Sequence, residues 1–209
     1  MARRRKRTAL VEAARRVGVS APRVLDAIAA VPREAFVPPD LVADVDEDRP
    51  LPIGEGQTTS QPSLIAAMVE ALELTGEERV LEVGTGYGYE AALLAHLAAE
   101  VHTIERHAPL AEQARQSLAA AGIGSVTVHV GDGTRGLPEH APFDAIIVAA
   151  ATHEVPDALA SQLVDGGRLI APVGGVGSQQ VIRYVRGAEG LRPDRRLVPV
   201  RFVPLVADE

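Results

Sequence analysis

The sequence has no cysteine and no tryptophan, and it has only three phenylalanines and three tyrosines. The absence of cysteine excludes disulfides, thiolate metal ligands and a cysteine nucleophile. Few aromatic residues argue against a surface that stacks on exposed bases. No stretch approaches the ~20 consecutive apolar residues of a membrane span, and no apolar run follows the basic N-terminus as in a signal peptide. These features predict a cytoplasmic protein with no membrane partner.

Charge is unevenly distributed along the 209 residues, whose formal net charge is −7. The first 23 residues carry an excess of basic side chains, whereas the rest of the chain is acidic. A basic head on an acidic body is compatible with nucleic-acid binding. However, Arg3–Arg7 lack interleaved aromatic residues, and chain termini are usually loosely held. We therefore expect no nucleic-acid partner.

The most informative segment is VLEVGTGYGY, from Val80 to Tyr89. It reads as a buried strand followed by a glycine-rich turn and the start of a helix, the arrangement with which backbone N–H groups approach a nucleotide. Glu105 ends the next apolar run, where a carboxylate can accept hydrogen bonds from ribose hydroxyls. Glu82 inside the strand end would repel a phosphate but suit an ammonium or sulfonium group. The pattern therefore favours S-adenosylmethionine over a dinucleotide, with a ligand-free strand-to-helix turn as the alternative.

Alternating strand and helix patterns follow one another over most of the chain. They predict an α/β fold with a doubly wound, mostly parallel, seven-stranded Rossmann-like sheet, an antiparallel C-terminal hairpin and extra N-terminal helices. The predicted helices are Pro62–Leu74, Tyr89–Ala98, Ala108–Ala121 and Pro156–Leu163. The predicted strands are Arg79–Val83, Val101–Glu105, Val126–Val130, Phe143–Val148, Gly167–Pro172, Gln180–Arg186 and Leu197–Leu205.

No domain boundary is visible, so we expect a single domain over residues 1–209. Within it, residues 1–31 are predicted to be helical, because Val24, Leu25, Ile28 and Val31 form an apolar helix stripe that stops at Pro32. Residues 32–62 are rich in proline and are expected to form a long connection without secondary structure, a feature that is usually functional. Residues 63–209 are expected to form the sheet and to bind the cofactor.

A set of motifs resembles the protein-L-isoaspartate O-methyltransferase family. The motifs occur in order over nearly the whole chain: VPREAFVP (31–38), PLPIGEGQTTSQP (50–62), VLEVGTGYGY (80–89), IER (104–106), GDG (131–133), FDAIIV (143–148), LVDGGRLIAPVG (163–174) and VRFVPL (200–205). The glycine loop and GDG are shared by many methyltransferases, whereas the GxGQTxS loop and VRFVPL are more specific. Gln61, Ser63 and Glu90 depart from the common pattern of the family, as does the loop 149–156.

The resemblance implies an enzyme that transfers a methyl group from S-adenosylmethionine to the free α-carboxylate of L-isoaspartyl residues in damaged proteins, leaving S-adenosylhomocysteine. Whether D-aspartyl residues are substrates as well is left open by the sequence. It implies that Ser60 is the catalytic residue, donating to the substrate carboxylate, although by spacing alone Ser60 reads equally as a helix cap. Ala150 and Val203 are expected to contact the substrate. The expected cofactor-binding residues are Gln57, Thr58, Thr59, Ser60, Glu82, Val83, Gly84, Thr85, Gly86, Tyr89, Glu105, Arg106, Gly131, Asp132 and Gly133.

Other interpretations compete with this one. Asp132 is expected to accept from the adenine amino group, but it also fits a simple turn. His153 is not expected to be a base, because a carboxylate is already ionised at neutral pH. The histidines 102, 107, 129 and 140 show no ligand-like spacing, so no metal is expected. A tRNA or small-molecule methyltransferase and a non-enzymatic binding protein are the alternative functions, and we expect a monomer.

Overall fold

The computed structural model describes residues 2–175 and 177–207, with side chains from residue 8 onward. The basic side chains of Arg3–Arg7, which we expect not to bind nucleic acid, therefore lie outside the described residues. Six helices are described: α1 (Ala2–Arg16), α2 (Pro22–Ala30), α3 (Pro62–Ala71), α4 (Tyr89–Ala95), α5 (Ala108–Ala120) and α6 (Asp157–Ser161). The nine described strands are β1 (Leu51–Gly54), β2 (Gln57–Thr59), β3 (Arg79–Val83), β4 (Glu100–Glu105), β5 (Val126–Val130), β6 (Phe143–Val148), β7 (Leu163–Gly175), β8 (Ser178–Gly187) and β9 (Gly190–Val200).

Seven strands form the main sheet in the order β5-β4-β3-β6-β7-β8-β9. Strands β3 to β7 pair in parallel, and β8 and β9 add an antiparallel hairpin to the edge. The predicted fold class is thereby confirmed. Parallel pairing brings the carboxyl ends of β3, β4, β5 and β6 to one edge of the sheet, where open α/β folds bind their ligands.

Apolar side chains bury both faces of this sheet. On one face, α1 to α5 pack over a cluster that includes Val80, Val101 and Ile147, and the apolar stripe of α2 is buried there as predicted. On the other face, a smaller cluster includes Leu81, Phe143 and Leu159. Strands that are covered on both faces read as continuous apolar runs, which is why their positions were predictable.

Two expectations about the connections were wrong. The segment 32–62, predicted to lack secondary structure, contains two short 3-10 helices and the hairpin of β1 and β2. The last strand is β9, ending at Val200, and not the predicted Leu197–Leu205. Beyond it, Pro204 makes only an isolated bridge with Ala151. Within the described residues, no helix is long and apolar enough to cross a membrane.

Candidate active site

The glycine loop between β3 and α4 has a backbone that favours glycine at three positions. Gly84, Gly86 and Gly88 have φ values of 98°, 53° and 91°, in the region that side chains with a Cβ rarely adopt. A Cβ on Gly86 would also lie 3.0 Å from Ile53 Cδ1, so the hairpin of β1 and β2 closes tightly over the loop. The loop thereby leaves a cradle lined by backbone.

Glu105 lies at the carboxyl end of β4 and holds the loop in place. Its Oε2 accepts a hydrogen bond from the Gly86 N–H at 2.9 Å, and its Oε1 accepts one from the His107 N–H at 3.0 Å. The side chain is nearly buried but still lines the cavity. Each carboxylate oxygen has two lone pairs, so these bonds leave capacity to accept from hydroxyl donors of a ligand.

Glu82 lies below the loop instead of in it. Its side chain is fully buried and accepts a hydrogen bond from Thr103, whose hydroxyl also contacts the Thr85 hydroxyl. Burial, followed by the neighbouring carboxylates of Glu90 and Glu105, raises the pKa of Glu82 well above its usual range. An ammonium or sulfonium group could contact this carboxylate only inside the core. The expectation that Glu82 contacts the cofactor is therefore not supported by its position.

Glu90 is the buried acid that does line the cavity. It is the second residue of α4, it lines the cavity, and burial raises its pKa to about 8. Among the described residues, its Oε1 has no hydrogen-bond partner. A buried polar atom without a partner is costly unless a ligand or water satisfies it. Sequence reasoning noted Glu90 only as a departure from the family pattern, although its place one residue into the helix after the loop was a usable signal.

The loop, the hairpin and the strand ends enclose a cavity of about 270 Å³. We call it the cofactor cavity. The predicted site residues that line it are Gln57, Thr58, Thr59, Ser60, Val83, Gly84, Thr85, Gly86, Tyr89, Glu105, Arg106, Gly133, Ala150 and Val203. Glu82, Gly131 and Asp132 are not among the lining residues. Lining residues that sequence reasoning missed are Phe36, Ile53, Ile65, Tyr87, Glu90, Ile104, His107, Ala149, Pro204, Leu205 and Val206.

Asp132 and Gly133 shape the cavity in different ways. The Asp132 carboxylate accepts from the N–H and hydroxyl of Thr134, and so caps a short 3-10 helix. A Cβ on Gly133 would lie 2.5 Å from Val83 Cγ1, so this strand-end loop contacts β3 directly. The close contact explains why glycine is needed there.

A second, larger cavity of about 990 Å³ adjoins the first. We call it the groove. It is bounded by the α1–α2 turn, α3 and the end of β9, and it shares five lining residues with the cofactor cavity: Thr58, Thr59, Ser60, Ala149 and Val203. The Ser60 hydroxyl is half-buried at this junction, and it makes no hydrogen bond within the described part of the chain.

The C-terminal segment after β9 forms part of the wall between the two cavities. The Ala151 N–H donates to the Val203 carbonyl at 2.7 Å, and the Leu205 N–H donates to the Ala151 carbonyl at 2.7 Å. These bonds fix the segment across the carboxyl ends of the central strands. Val203 therefore lies beside Ala150, although the segment does not continue the sheet.

The glycine loop after β3, the acid that ends β4 and the ligand cavity at the strand ends define a nucleotide-binding methyltransferase of the S-adenosylmethionine-dependent class. A family model for protein-L-isoaspartate(D-aspartate) O-methyltransferase matches residues 5–209. The chain belongs to this family, and its cofactor is S-adenosyl-L-methionine.

Known relatives agree with this assignment. A protein-L-isoaspartate O-methyltransferase from Roseiflexus sp. (strain RS-1) is 51% identical over 201 residues, covering 96% of this chain and 92% of the relative. One from Anaeromyxobacter dehalogenans (strain 2CP-1) is 54% identical, covering 90% and 91%. A solved protein-L-isoaspartate O-methyltransferase superposes with a TM-score of 0.84 at 31% identity, covering 95% of this chain, which spans 65% of that longer one.

Proposed function

We propose that this chain is a protein repair enzyme that transfers the methyl group of S-adenosylmethionine to the free α-carboxylate of L-isoaspartyl residues. The observation that carries the proposal is the junction of the cofactor cavity and the groove at residues 58–60, 149 and 203. A methyltransferase for a macromolecule needs a pocket for the donor and, adjoining it, a larger one for the chain that receives the methyl group. The two cavities meet these two requirements.

The cofactor supplies an electrophilic methyl group on a sulfonium when it is bound. Glu105 is suited to the ribose hydroxyls, and the backbone cradle at Gly84 and Gly86 to the rest of the nucleoside. Glu90 lines the same cavity, and its unpartnered Oε1 is available to a polar group of the ligand. These residues fit the cofactor, because they combine acceptors, a backbone cradle and an apolar wall in one cavity.

Methyl transfer to a carboxylate requires positioning and not a strong base. A carboxyl group of pKa about 4 is already ionised at neutral pH. What the chain must supply is alignment of one carboxylate oxygen with the reacting methyl group and exclusion of water, and orientation of this kind contributes about 7–11 kcal/mol to barrier reduction. The half-buried Ser60 hydroxyl at the junction is well placed to donate to that carboxylate. His153 is exposed and lines neither cavity.

The groove supports a peptide as the methyl acceptor. Its volume exceeds that of the cofactor cavity more than threefold, from about 270 to about 990 Å³. Its walls come from the α1–α2 turn and β9, and Val203 lies where it meets the cofactor cavity, which Ala150 also lines. An extended peptide whose backbone runs along this groove places one side-chain-like carboxylate at Ser60. Recognition through backbone contacts tolerates many flanking sequences, as repair of damaged proteins requires.

Variants of Ser60 test this assignment. We expect Ser60→Ala to lower turnover of an isoaspartyl peptide about 10–100-fold, because a hydrogen bond to a charged group contributes about 1.5–3 kcal/mol. Cofactor affinity, measured by calorimetry, should change little. Ser161→Ala, an exposed serine on α6, is the matched control, and His153→Ala should also retain most activity.

Three results would contradict the proposal. Equal methylation of an isoaspartyl peptide and its aspartyl counterpart would reject the repair function. Activity on tRNA alone would support the alternative function. A larger loss of activity in His153→Ala than in Ser60→Ala would remove Ser60 from its role and favour general-base catalysis.

We further propose that the chain acts as a single-domain monomer in the cytoplasm, without nucleic-acid or membrane partners. The acidic net charge of −7 and the scarcity of aromatic residues support the absence of a nucleic-acid partner. Light scattering after gel filtration at the working concentration tests the monomer, and a gel-shift titration with tRNA tests the absence of nucleic-acid binding.

A further inference from the structure

Three histidines converge at the edge of the sheet, away from both cavities. His102 lies on β4, His129 lies on the neighbouring edge strand β5, and His140 ends the short 3-10 helix Pro138–His140. One ring nitrogen of each lies within 4.8 Å of the others. None of the three lines the cofactor cavity or the groove, so the proposed methyl transfer does not account for them.

The distances within this histidine cluster resemble those of a metal site. Nδ1 of His102 lies 3.1 Å from Nε2 of His129. Two imidazole nitrogens bound to a tetrahedral Zn²⁺ at 2.0–2.1 Å lie about 3.3 Å apart. The His140 ring has its centroid 4.5 Å from that of His102 and 4.8 Å from that of His129.

Glu100 orients the most buried member of the cluster. Nε2 of His102 lies 2.8 Å from Glu100 Oε1, and the same carboxylate is held by the Arg79 Nε at 2.8 Å. Because a carboxylate can only accept, the Nε2–H of His102 donates to Glu100, and the Nδ1 of His102 faces the cluster. A carboxylate that accepts from the far nitrogen of a histidine is the usual outer support of a metal ligand.

The cluster is also accessible to an ion. The side chain of His102 is almost fully buried, whereas His129 and His140 are half-buried, so an ion can reach the cluster from solvent.

We propose that His102, His129 and His140 form a binding site for a divalent metal ion, and that this ion is Zn²⁺. Three imidazoles favour late first-row metals and disfavour Mg²⁺ and Ca²⁺, which prefer oxygen ligands. The earlier expectation that these histidines form no metal site rested on their spacing in sequence. Strand pairing overrides that spacing, because β4 and β5 run side by side with Ile104 opposite His129.

The position of the site indicates what a bound ion would do. His129 is two residues before Gly131, and His102 is three residues before Glu105. The ion would tie edge strand β5 and the segment 131–140 to β4, the strand that ends in Glu105. We therefore assign it a structural role, without participation in methyl transfer.

Calorimetric titration of the full-length, tag-free protein with Zn²⁺ tests the proposal. We expect one ion per chain and a rise in melting temperature when Zn²⁺ is present, because a ligand that binds the folded state stabilises it. His129→Gln and His140→Gln should each abolish both effects. Glu100→Gln should weaken binding 10–100-fold, the usual cost of losing an outer-sphere partner. His96→Gln and His153→Gln, at exposed histidines outside the cluster, are the matched controls and should bind as the parent does.

The outcomes separate clearly. Loss of binding in the two cluster variants, with circular dichroism spectra unchanged and binding retained in the controls, supports the site. No binding by the parent protein overturns it, as does equal binding by parent and cluster variants. If the cluster variants do not fold, the parent protein with Co²⁺ decides the question. A visible absorption spectrum that differs from that of aqueous Co²⁺ and disappears on adding one equivalent of Zn²⁺ supports the site, and an unchanged spectrum overturns it.

Discussion

Replacing Glu90 by glutamine should stabilise the protein, and increasingly so as the pH rises. Burial raises the pKa of Glu90 from 4.5 to about 8, so the folded protein keeps a proton that the unfolded chain releases near pH 4.5. Between these values the folded state binds more protons than the unfolded state, and stability falls as pH rises. Glutamine has nearly the same shape and does not titrate, so at this position the variant does not lose stability as the pH rises.

The size of the effect follows from the shift. Each pKa unit corresponds to about 1.4 kcal/mol, so a shift from 4.5 to about 8 gives an upper limit of roughly 5 kcal/mol at pH 8. Glu82 shares the buried environment and its pKa is also raised. The stability that the protein loses with rising pH because of Glu82 is therefore also lost in the variant. We therefore expect Glu90→Gln to gain about 2–4 kcal/mol over the parent between pH 5 and pH 8.

Urea unfolding of the cofactor-free protein, followed by circular dichroism at pH 5, 6, 7 and 8, measures this gain. Glu77→Gln is the matched control, since Glu77 is an exposed carboxylate a short distance before β3. It should follow the stability profile of the parent. Parallel profiles for Glu90→Gln and the parent would refute the reasoning, and so would a variant that is less stable than the parent at pH 8.

Two further predictions concern the cofactor cavity. Glu105→Ala should weaken S-adenosylmethionine binding by about 1.5–3 kcal/mol in calorimetry while the protein stays folded, and unchanged affinity would remove Glu105 from the ribose role. Gly133→Ala should lower stability by about 1–3 kcal/mol in thermal unfolding, because its Cβ would lie 2.5 Å from Val83 Cγ1. Gly124→Ala is the matched control, since a Cβ there meets nothing within 4 Å, and an equal effect of the two would contradict the packing argument.

The parallel part of the fold was predictable because its signals are local. Each central strand is a short apolar run, and the turn residues between strands and helices stand next to one another in sequence. The glycine loop and Glu105 were found in the same way. The structure brings both to one cavity, because parallel strands end at the same edge of the sheet.

The predictions for the segments outside the parallel sheet were wrong where a strand contains proline. Pro52 lies inside β1, opposite Thr58, and Pro193 and Pro199 lie inside β9. Proline removes a hydrogen-bond donor, so its presence argues against a central strand. However, both strands of a two-stranded hairpin are edges, and β9 is the edge of the main sheet. An edge strand tolerates proline on its open side. Whether a strand lies at an edge depends on the whole sheet, so these strands could not be predicted from the local sequence.

The place of Glu82 required the pairing of strands and not only their positions. Glu82 pairs with Thr103 in register, so the two side chains share one face of the sheet, and alternation along β3 turns the carboxylate away from the face of Leu81 and Val83. The face that carries Glu82 is covered by helices that include α4, which carries Glu90. The two acids thus meet beneath the glycine loop, where burial raises both pKa values. Of these two acids, only Glu90 lines the cavity. The carboxyl group of the pair that can contact the ligand therefore lies on the helix after the loop, and not on the strand before it.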